Sequence, residues 1–124
     1  MFGPPGRSYV YFVYGMYHCL NVVTESDGVA GAVLLRGAEP LAGFDDPEPG
    51  ALAGPGKLTR AFGLTLKHTN LDLARHGAIL SVRDAPPVPP RSVARSARIG
   101  LNDHATTKKP WRLYVRGSSG LSRP

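Results

Sequence analysis

The sequence predicts an α+β fold that consists mainly of antiparallel sheet, with a protruding β-hairpin and one or two short helices. Two observations carry this prediction. The densest apolar and aromatic run covers residues 8–23 (SYVYFVYGMYHCLNVV) and is interrupted once, at Gly15, which is typical of two strands joined by a tight turn. The 15 glycines and 12 prolines among 124 residues favour short elements and many loops over long helices.

The segments after the hairpin predict further short elements. Residues 29–35 (VAGAVLL) are expected to form a buried strand that ends at Arg36. A Gly-Pro-Gly loop precedes a short helix over 57–64, which breaks near Gly63. The remaining expected elements are one helical turn over 69–74, a short strand over 78–82, an extended connector over 86–90 and a closing strand over 111–115. These four or five strands are predicted to form a single domain spanning residues 1–124.

The charge of the chain favours a nucleic acid as its partner. The formal net charge is +6 and the pI is about 9.9, and arginine supplies 11 of the 15 basic residues. Arginine is the side chain best suited to paired contacts with phosphate and to stacking on bases. The alternative is a basic protein whose charge has no dedicated partner.

Cysteine and histidine usage argues against metal and disulfide chemistry. The single cysteine, Cys19, excludes an internal disulfide and a Cys-rich zinc cluster, and the four histidines have no metal-ligand spacing. We therefore expect no metal and no other cofactor. A lone cysteine can be a nucleophile, but the apolar strand around Cys19 favours packing.

The sequence carries no sign of a membrane segment or a secretory signal. No apolar stretch of 18 residues is free of polar groups, so no membrane span is expected. The N-terminus lacks the basic, apolar and small-residue layout of a secretory signal. A cytoplasmic, nucleoid-associated protein is the expectation.

Two segments have both a structural and a functional interpretation. The hairpin carries four tyrosines, at positions 9, 11, 14 and 17, which suit either a packed core or a protein that stacks on bases and inserts a side chain into a duplex. The polar residues His18 and Asn21 are unusual in a purely structural buried strand. The helix that starts in the Gly-Pro-Gly loop offers free N–H groups to a phosphate beside Lys57 and Arg60, but an ordinary surface helix fits it equally well.

Five segments, taken in chain order, resemble the alkyladenine (3-methyladenine) DNA glycosylase family. They are YVYFVYGMYHCLNV, GAVLLRGAEP, GPGKLTRAFGL, ARIGLN and KKPWRLYVRGS. Members of this family flip alkylated or deaminated purines such as 3-methyladenine and hypoxanthine out of DNA and hydrolyse the N-glycosidic bond, without a metal and without a lyase step. The resemblance implies base-excision repair, double-stranded DNA with damaged purines as the partner, no membrane, and a monomer for the complete enzyme.

The resemblance also implies roles for residues of the hairpin. Tyr14 corresponds to the ring at the hairpin tip that wedges into the duplex, and Gly15 and Met16 correspond to the turn beside it. Tyr11 corresponds to a ring that stacks on the extruded base. Asn21 corresponds to the pocket amide that contacts the purine edge and discourages the exocyclic amine of guanine.

Further implied contacts lie outside the hairpin. Arg36 matches an arginine near the phosphate of the flipped nucleotide, and Ile99 and Gly100 match a Val-Gly pair that lines the pocket and the intercalation site. Lys57 joins them as a candidate for phosphate contact. Without the family motif, the same residue types would be read as packing tyrosines, a satisfied amide and solvated charges.

The general base of the family is missing from this sequence. In the family a glutamate in an E-x-E-A-Y-type segment, upstream of the tyrosine hairpin, activates the attacking water. None of the nine carboxylates of this chain lies in such a segment, so no catalytic residue is predicted.

The chain is therefore expected to be the C-terminal two-thirds of a glycosylase that is truncated at its N-terminus. Alone it should bind DNA weakly, cleave nothing and expose a sheet edge or an apolar face. The alternatives are a non-catalytic nucleic-acid-binding module and a nonfunctional remnant that does not fold.

Overall fold

The computed structural model describes residues 3–44, 48–75, 77–100 and 108–122. The chain divides into two compact units, residues 1–84 with 119–122 and residues 85–118 with 123–124. The described residues contain five strands, one α-helix and two short 3₁₀ helices. The predicted α+β fold with mainly antiparallel sheet is confirmed, whereas the single domain stays a prediction.

The first unit is built on the predicted hairpin. Strand β1 (Ser8–Val13) pairs antiparallel with β2 (Tyr17–Val23), and β3 (Ala32–Leu34) pairs antiparallel with the other edge of β2. The buried strand expected over 29–35 is wrong in length and in burial, because β2 ends opposite Ala32 and leaves earlier residues without a ladder partner. Val29 and Val33 are 52% and 54% exposed.

The outer edge of β1 is covered by the chain that follows the α-helix. The Asn70 amide donates to the Ser8 carbonyl at 2.8 Å, and the Ser8 amide donates to the Leu71 carbonyl at 3.0 Å. The Thr69 hydroxyl accepts from the Val10 amide at 2.9 Å and donates to the Val10 carbonyl at 3.1 Å. The helical turn expected over 69–74 is therefore wrong, because its polar groups bond to the strand edge. The expected open edge is likewise closed at residues 8–10.

The α-helix begins earlier than the sequence predicts and ends where expected. Helix α1 (Pro55–Phe62) takes Pro55 and Gly56 into its first turn, where proline loses no hydrogen bond. Gly63, with a φ of +65°, ends it in the left-handed conformation. A 3₁₀ helix, Leu66–His68, follows. The apolar core beside α1 consists of Val10, Leu20 and Leu64, with Leu35 and Leu80 packed against it.

Residues 78–82 do not form the predicted short strand. They form bends and irregular backbone, and the Val82 amide donates back to the Leu73 carbonyl at 2.8 Å. Local sequence favours a strand here, but no neighbouring strand in the described unit provides a ladder.

The second unit is a two-stranded antiparallel sheet. Strand β4 (Val93–Ser96) pairs with β5 (Arg112–Val115), which confirms the predicted closing strand. A 3₁₀ helix, Pro90–Ser92, begins at the last residue of the extended connector expected over 86–90. Arg112 is buried, donates to the Ser96 hydroxyl at 3.0 Å and lies 4.4 Å from the centre of the Tyr114 ring.

Among the described helices of the chain, none has the length and apolar character needed to cross a membrane.

Candidate nucleic-acid interface on the tyrosine hairpin

The tip of the hairpin presents Tyr14 to solvent. The Tyr14 side chain is 71% exposed, and its backbone φ of +55° is followed by +65° at Gly15. The Met16 amide donates to the Val13 carbonyl at 3.0 Å and closes the turn. Two successive positive φ values are the pattern of a mirror-image turn, which glycine adopts readily and a bulky aromatic residue rarely. The fold therefore holds an exposed ring in a backbone conformation that local preference disfavours.

Two further apolar side chains are exposed beside Tyr14. Met16 is 72% exposed and Phe12 is 50% exposed, and the Phe12 ring contacts the His18 ring with centroids 4.8 Å apart. Phe12 was not among the predicted site residues, because strand alternation places it on the same face as the buried Val10 and so favours packing over exposure. Exposed apolar side chains at the end of a hairpin are typical of interaction sites. We call Phe12, Tyr14 and Met16 the tip surface.

One face of the hairpin brings the predicted pocket residues together. Tyr9 is opposite Asn21 and Tyr11 is opposite Cys19, and directly opposite residues share a face of an antiparallel pair. The Tyr9 and Tyr11 rings lie 5.5 Å apart between centroids and are tilted by 47°. Tyr11 is half-buried, while Cys19 and Asn21 are buried. We call these four residues the tyrosine face.

Two ionisable groups of the tyrosine face, Tyr11 and Cys19, have raised pKa values. Burial raises the pKa of Tyr11, and the adjacent Cys19 adds to that rise. Burial also raises the pKa of the Cys19 thiol, and its hydrogen bond with Tyr11 and the charge of Arg36 offset this only in part. A thiol with a raised pKa is a poor nucleophile, so Cys19 serves packing, as its apolar surroundings indicated.

The amide of Asn21 is fixed by the backbone of its own hairpin. Its Nδ2 donates to the Tyr9 carbonyl at 3.2 Å and to the Cys19 carbonyl at 3.4 Å. Asn21 is opposite Leu34 of β3, and this central position accounts for its burial. Both bonds hold the amide plane in one orientation before any ligand arrives.

Arg36 lies beside the tyrosine face. Arg36 follows β3, is half-buried and is close enough to Cys19 for its charge to lower the pKa of the thiol. Arg36 therefore lies near Cys19 of the tyrosine face, and its contact with a phosphate stays a prediction.

Helix α1 carries Lys57 and is packed against β2. A Cβ at Gly56 would stand 2.8 Å from the Tyr17 ring. The buried Thr59 hydroxyl bonds to the His18 carbonyl at 3.0 Å. Lys57 is exposed one residue after Gly56, so its charge is held beside the second strand of the hairpin.

Ile99 and Gly100 lie in the second unit, after β4. Ile99 is half-buried, and Gly100 has a φ of +76°. Their grouping with the tyrosine face stays a prediction.

The sheet provides no acid for water activation. Strands β1, β2 and β3 contain no aspartate or glutamate. Asp72 lies at the edge of β1, and one of its carboxylate oxygens accepts from the Ala74 amide at 3.1 Å. Over the described ranges, no group of three or more histidine, cysteine, aspartate or glutamate side chains could hold a metal ion. The hairpin thus offers stacking, amide and cationic groups.

The first unit also has a cavity of about 330 Å³ next to its core. It is lined by Leu20, Leu35, Gly37, Ala38, Leu58, Phe62, Leu64, Leu73, Leu80, Ser81 and Val82. Leu20 alternates with Cys19 and Asn21 along β2, so the cavity lies on the opposite side of the sheet from the tyrosine face. Ser81 supplies the only side-chain hydroxyl in this lining, which leaves little to orient a polar ligand.

Comparisons with known proteins match almost the whole chain to one family. Residues 1–119 match the family described as Methylpurine-DNA glycosylase (MPG). A "Putative 3-methyladenine DNA glycosylase" of Myxococcus xanthus is 45% identical over 125 residues, which cover 99% of this chain and 62% of the relative. Proteins of the same name from Anaeromyxobacter dehalogenans and Chlorobaculum tepidum are 47% and 40% identical, over 100% and 99% of this chain and 57% and 61% of their own lengths. The chain thus spans less than two thirds of each relative.

Proposed function

The chain belongs to the methylpurine-DNA glycosylase family, and on this premise we propose that it forms the DNA-binding and base-recognition part of an enzyme that excises alkylated or deaminated purines. The observation that carries the proposal is the hairpin, with an exposed tyrosine at its tip and two adjacent tyrosines on one face. The substrate is duplex DNA with damaged purines such as 3-methyladenine and hypoxanthine. The complete enzyme acts as a monomer at the bacterial chromosome, in the cytoplasm.

Tyr14 is the wedge in this proposal. A flipped nucleotide leaves a gap in the base stack, and an inserted aromatic ring replaces part of the lost stacking. A stacked base is worth about 1–3 kcal/mol on aromatic side chains of other proteins. The positive φ at Tyr14 directs the ring from the end of the hairpin, and the neighbouring Met16 adds apolar surface that enters with it.

The tyrosine face receives the extruded base. Tyr11 stacks on the purine, and the Asn21 amide, held by two backbone carbonyls, contacts the purine edge in a fixed orientation. A preset amide discriminates between purines because a mismatched donor or acceptor would remain unpaired in the pocket.

Four further residues complete the DNA contact. Arg36 and Lys57 pair with phosphates, and the Tyr11 phenol, whose pKa is raised by burial, stays uncharged. Ile99 and Gly100 line the intercalation site in the complete enzyme.

The general base belongs to a segment outside this sheet. Hydrolysis of the N-glycosidic bond requires a carboxylate that activates water, and the three strands that carry the recognition residues contain none. We place this base in the upstream E-x-E-A-Y-type segment that the family resemblance implies. The 124-residue chain alone should then bind damaged DNA without releasing the base.

A single-turnover excision assay tests the proposal. The 124-residue chain is compared with a longer version that carries the upstream segment, on a duplex with one hypoxanthine and on the same duplex without the lesion. We expect both proteins to bind, only the longer version to release hypoxanthine, and Tyr14→Ala to slow that release.

Each other outcome of this assay is informative. Release by the short chain would assign the general base to one of its own carboxylates. Binding by both proteins without release by either would favour the second candidate, a non-catalytic module that senses DNA damage. The absence of binding by both would refute the proposal.

A further inference from the structure

The positive charge of the chain is concentrated in the second unit. Within the described residues 85–100 and 108–118 there are seven lysines and arginines and no aspartate or glutamate. The formal charge of the whole chain is only +6, so the rest of the protein is close to electrical balance. A small two-stranded sheet with this charge attracts a polyanion.

The second unit also carries an exposed aromatic ring, Trp111, close to two of its basic side chains. Trp111 directly precedes β5 and is 54% exposed. The Lys109 ammonium lies 5.0 Å from the centre of the Trp111 ring, and the Arg98 guanidinium lies 5.9 Å from it. The Trp111 amide donates to the Lys109 carbonyl at 2.8 Å, which keeps the two side chains close. One ring therefore gathers two cations at the surface.

We propose that the second unit carries a separate site for single-stranded DNA, in which an unpaired base stacks on Trp111 and the adjacent phosphates contact Lys109 and Arg98. Aromatic side chains set among basic ones are the common way in which proteins bind single strands without sequence preference. The contact of Lys109 with the ring is weak at an exposed site. A stacked base displaces that contact, and the ammonium then pairs with the phosphate of the same nucleotide.

The geometry favours an unpaired strand over a duplex and over a membrane. The bases of a duplex are already stacked on each other, so the exposed face of Trp111 would gain little from them. A lipid surface is usually bound by an amphipathic helix with a broad apolar face. The ring here lies next to a four-residue strand, and two basic side chains, Lys109 and Arg98, lie 5.0 and 5.9 Å from its centre.

The single tryptophan of the chain makes this site directly observable. The full 124-residue chain is titrated with an oligothymidylate of about twelve nucleotides, within the range of sites that bind single strands. Stacking should quench the Trp111 fluorescence in a saturable way, and an undamaged duplex should quench it much less. Vesicles of an anionic phospholipid provide the third arm and should leave the emission unchanged.

Two sets of variants separate stacking from charge. By anisotropy of a labelled oligothymidylate, Trp111→Ala should weaken binding about tenfold, and Trp111→Phe should retain part of the affinity. Lys109→Gln should reduce the slope of log affinity against log salt by about 0.7, the value for one phosphate of a single strand. Lys67→Gln, an exposed lysine of the first unit, is the matched control and should leave the slope unchanged.

Several results would overturn this site. Absence of quenching by the oligothymidylate, equal quenching by duplex, or a response to vesicles alone would each refute it. In the longer, excising version of the protein, Trp111→Ala should leave release of hypoxanthine intact. Loss of release in this variant would make Trp111 part of the lesion site and refute a separate site. If the oligothymidylate quenches Trp111 although the longer protein excises nothing, the single-strand site stands while the proposed excision function fails.

Discussion

Replacement of Tyr14 by glycine should make the protein slightly more stable while it weakens lesion binding. A non-glycine residue in the left-handed conformation costs about 1–2 kcal/mol, and Tyr14 adopts that conformation at +55°. Glycine removes this cost but adds about 0.5–1 kcal/mol of backbone entropy to the unfolded chain. Because the ring is 71% exposed, little burial is lost. The net expectation is a gain of about 0.5 kcal/mol in the free energy of unfolding.

Urea denaturation and duplex binding measure the two effects on the same protein. Tyr14→Asn is the matched control, because asparagine tolerates positive φ and also lacks the ring. Tyr14→Phe retains the ring and should bind like the parent chain. Both ringless variants should bind a hypoxanthine duplex about tenfold more weakly, if one stacking contact is lost. A destabilisation of more than about 1 kcal/mol by glycine would show that the ring packs within the fold, and unchanged binding would refute the wedge.

Three further perturbations test the packing around the site. Gly37→Ala should lower the free energy of unfolding in urea by about 1–3 kcal/mol, because the new Cβ would lie 2.1 Å from the backbone carbonyl oxygen of Gly120. Gly31→Ala is the control. Its Cβ would lie at the same distance from an atom of the flexible Glu25 side chain, which can move, so this substitution should cost much less. Thr59→Val should cost about 1–2 kcal/mol, because it removes the hydroxyl that bonds to the His18 carbonyl. The free energy of unfolding should fall as the pH rises above about 8.5, since the unfolded Cys19 thiol releases its proton before the buried one, and Cys19→Ala should reduce this fall.

The outcomes that contradict these expectations are distinct. Equal costs for alanine at positions 37 and 31 would mean that the backbone around Gly37 relaxes freely. A neutral Thr59→Val would show that the contact between α1 and β2 depends on shape alone. An alkaline fall in stability that persists unchanged in Cys19→Ala would have to come from another group, with the Tyr11 phenol as the first candidate because burial raises its pKa as well.

The hairpin and the closing strand were predictable because their signals are local. Alternating β-branched and aromatic residues interrupted by Gly15 specify two strands and a turn, and Gly63 specifies the end of α1. The family resemblance rests on the same local segments. The proposed site residues Tyr11, Tyr14 and Asn21 could therefore be predicted from the sequence.

The failures of prediction concern segments whose pairing depends on the rest of the fold. Residues 69–74 look helical in isolation, but their hydrogen bonds go to β1, about 60 residues earlier. Residues 78–82 have strand-like composition, but no neighbouring strand in the described unit pairs with them. Within residues 29–35, only Ala32–Leu34 pair with β2, at three positions. Strand formation requires a neighbour as well as propensity, and only the folded chain provides that neighbour.

The hairpin, its tyrosines and the excess of arginine follow from the sequence alone, because they depend on residue type and short spacing. Which side chains meet depends on how the whole chain folds. The folded chain places Tyr11 and Arg36 near Cys19, turns the amide of Asn21 toward two backbone carbonyls, and brings Lys109 and Arg98 close to Trp111. The physical reason is that cross-strand register and burial are set by the packing of whole elements, whereas composition and periodicity report only what each element prefers alone.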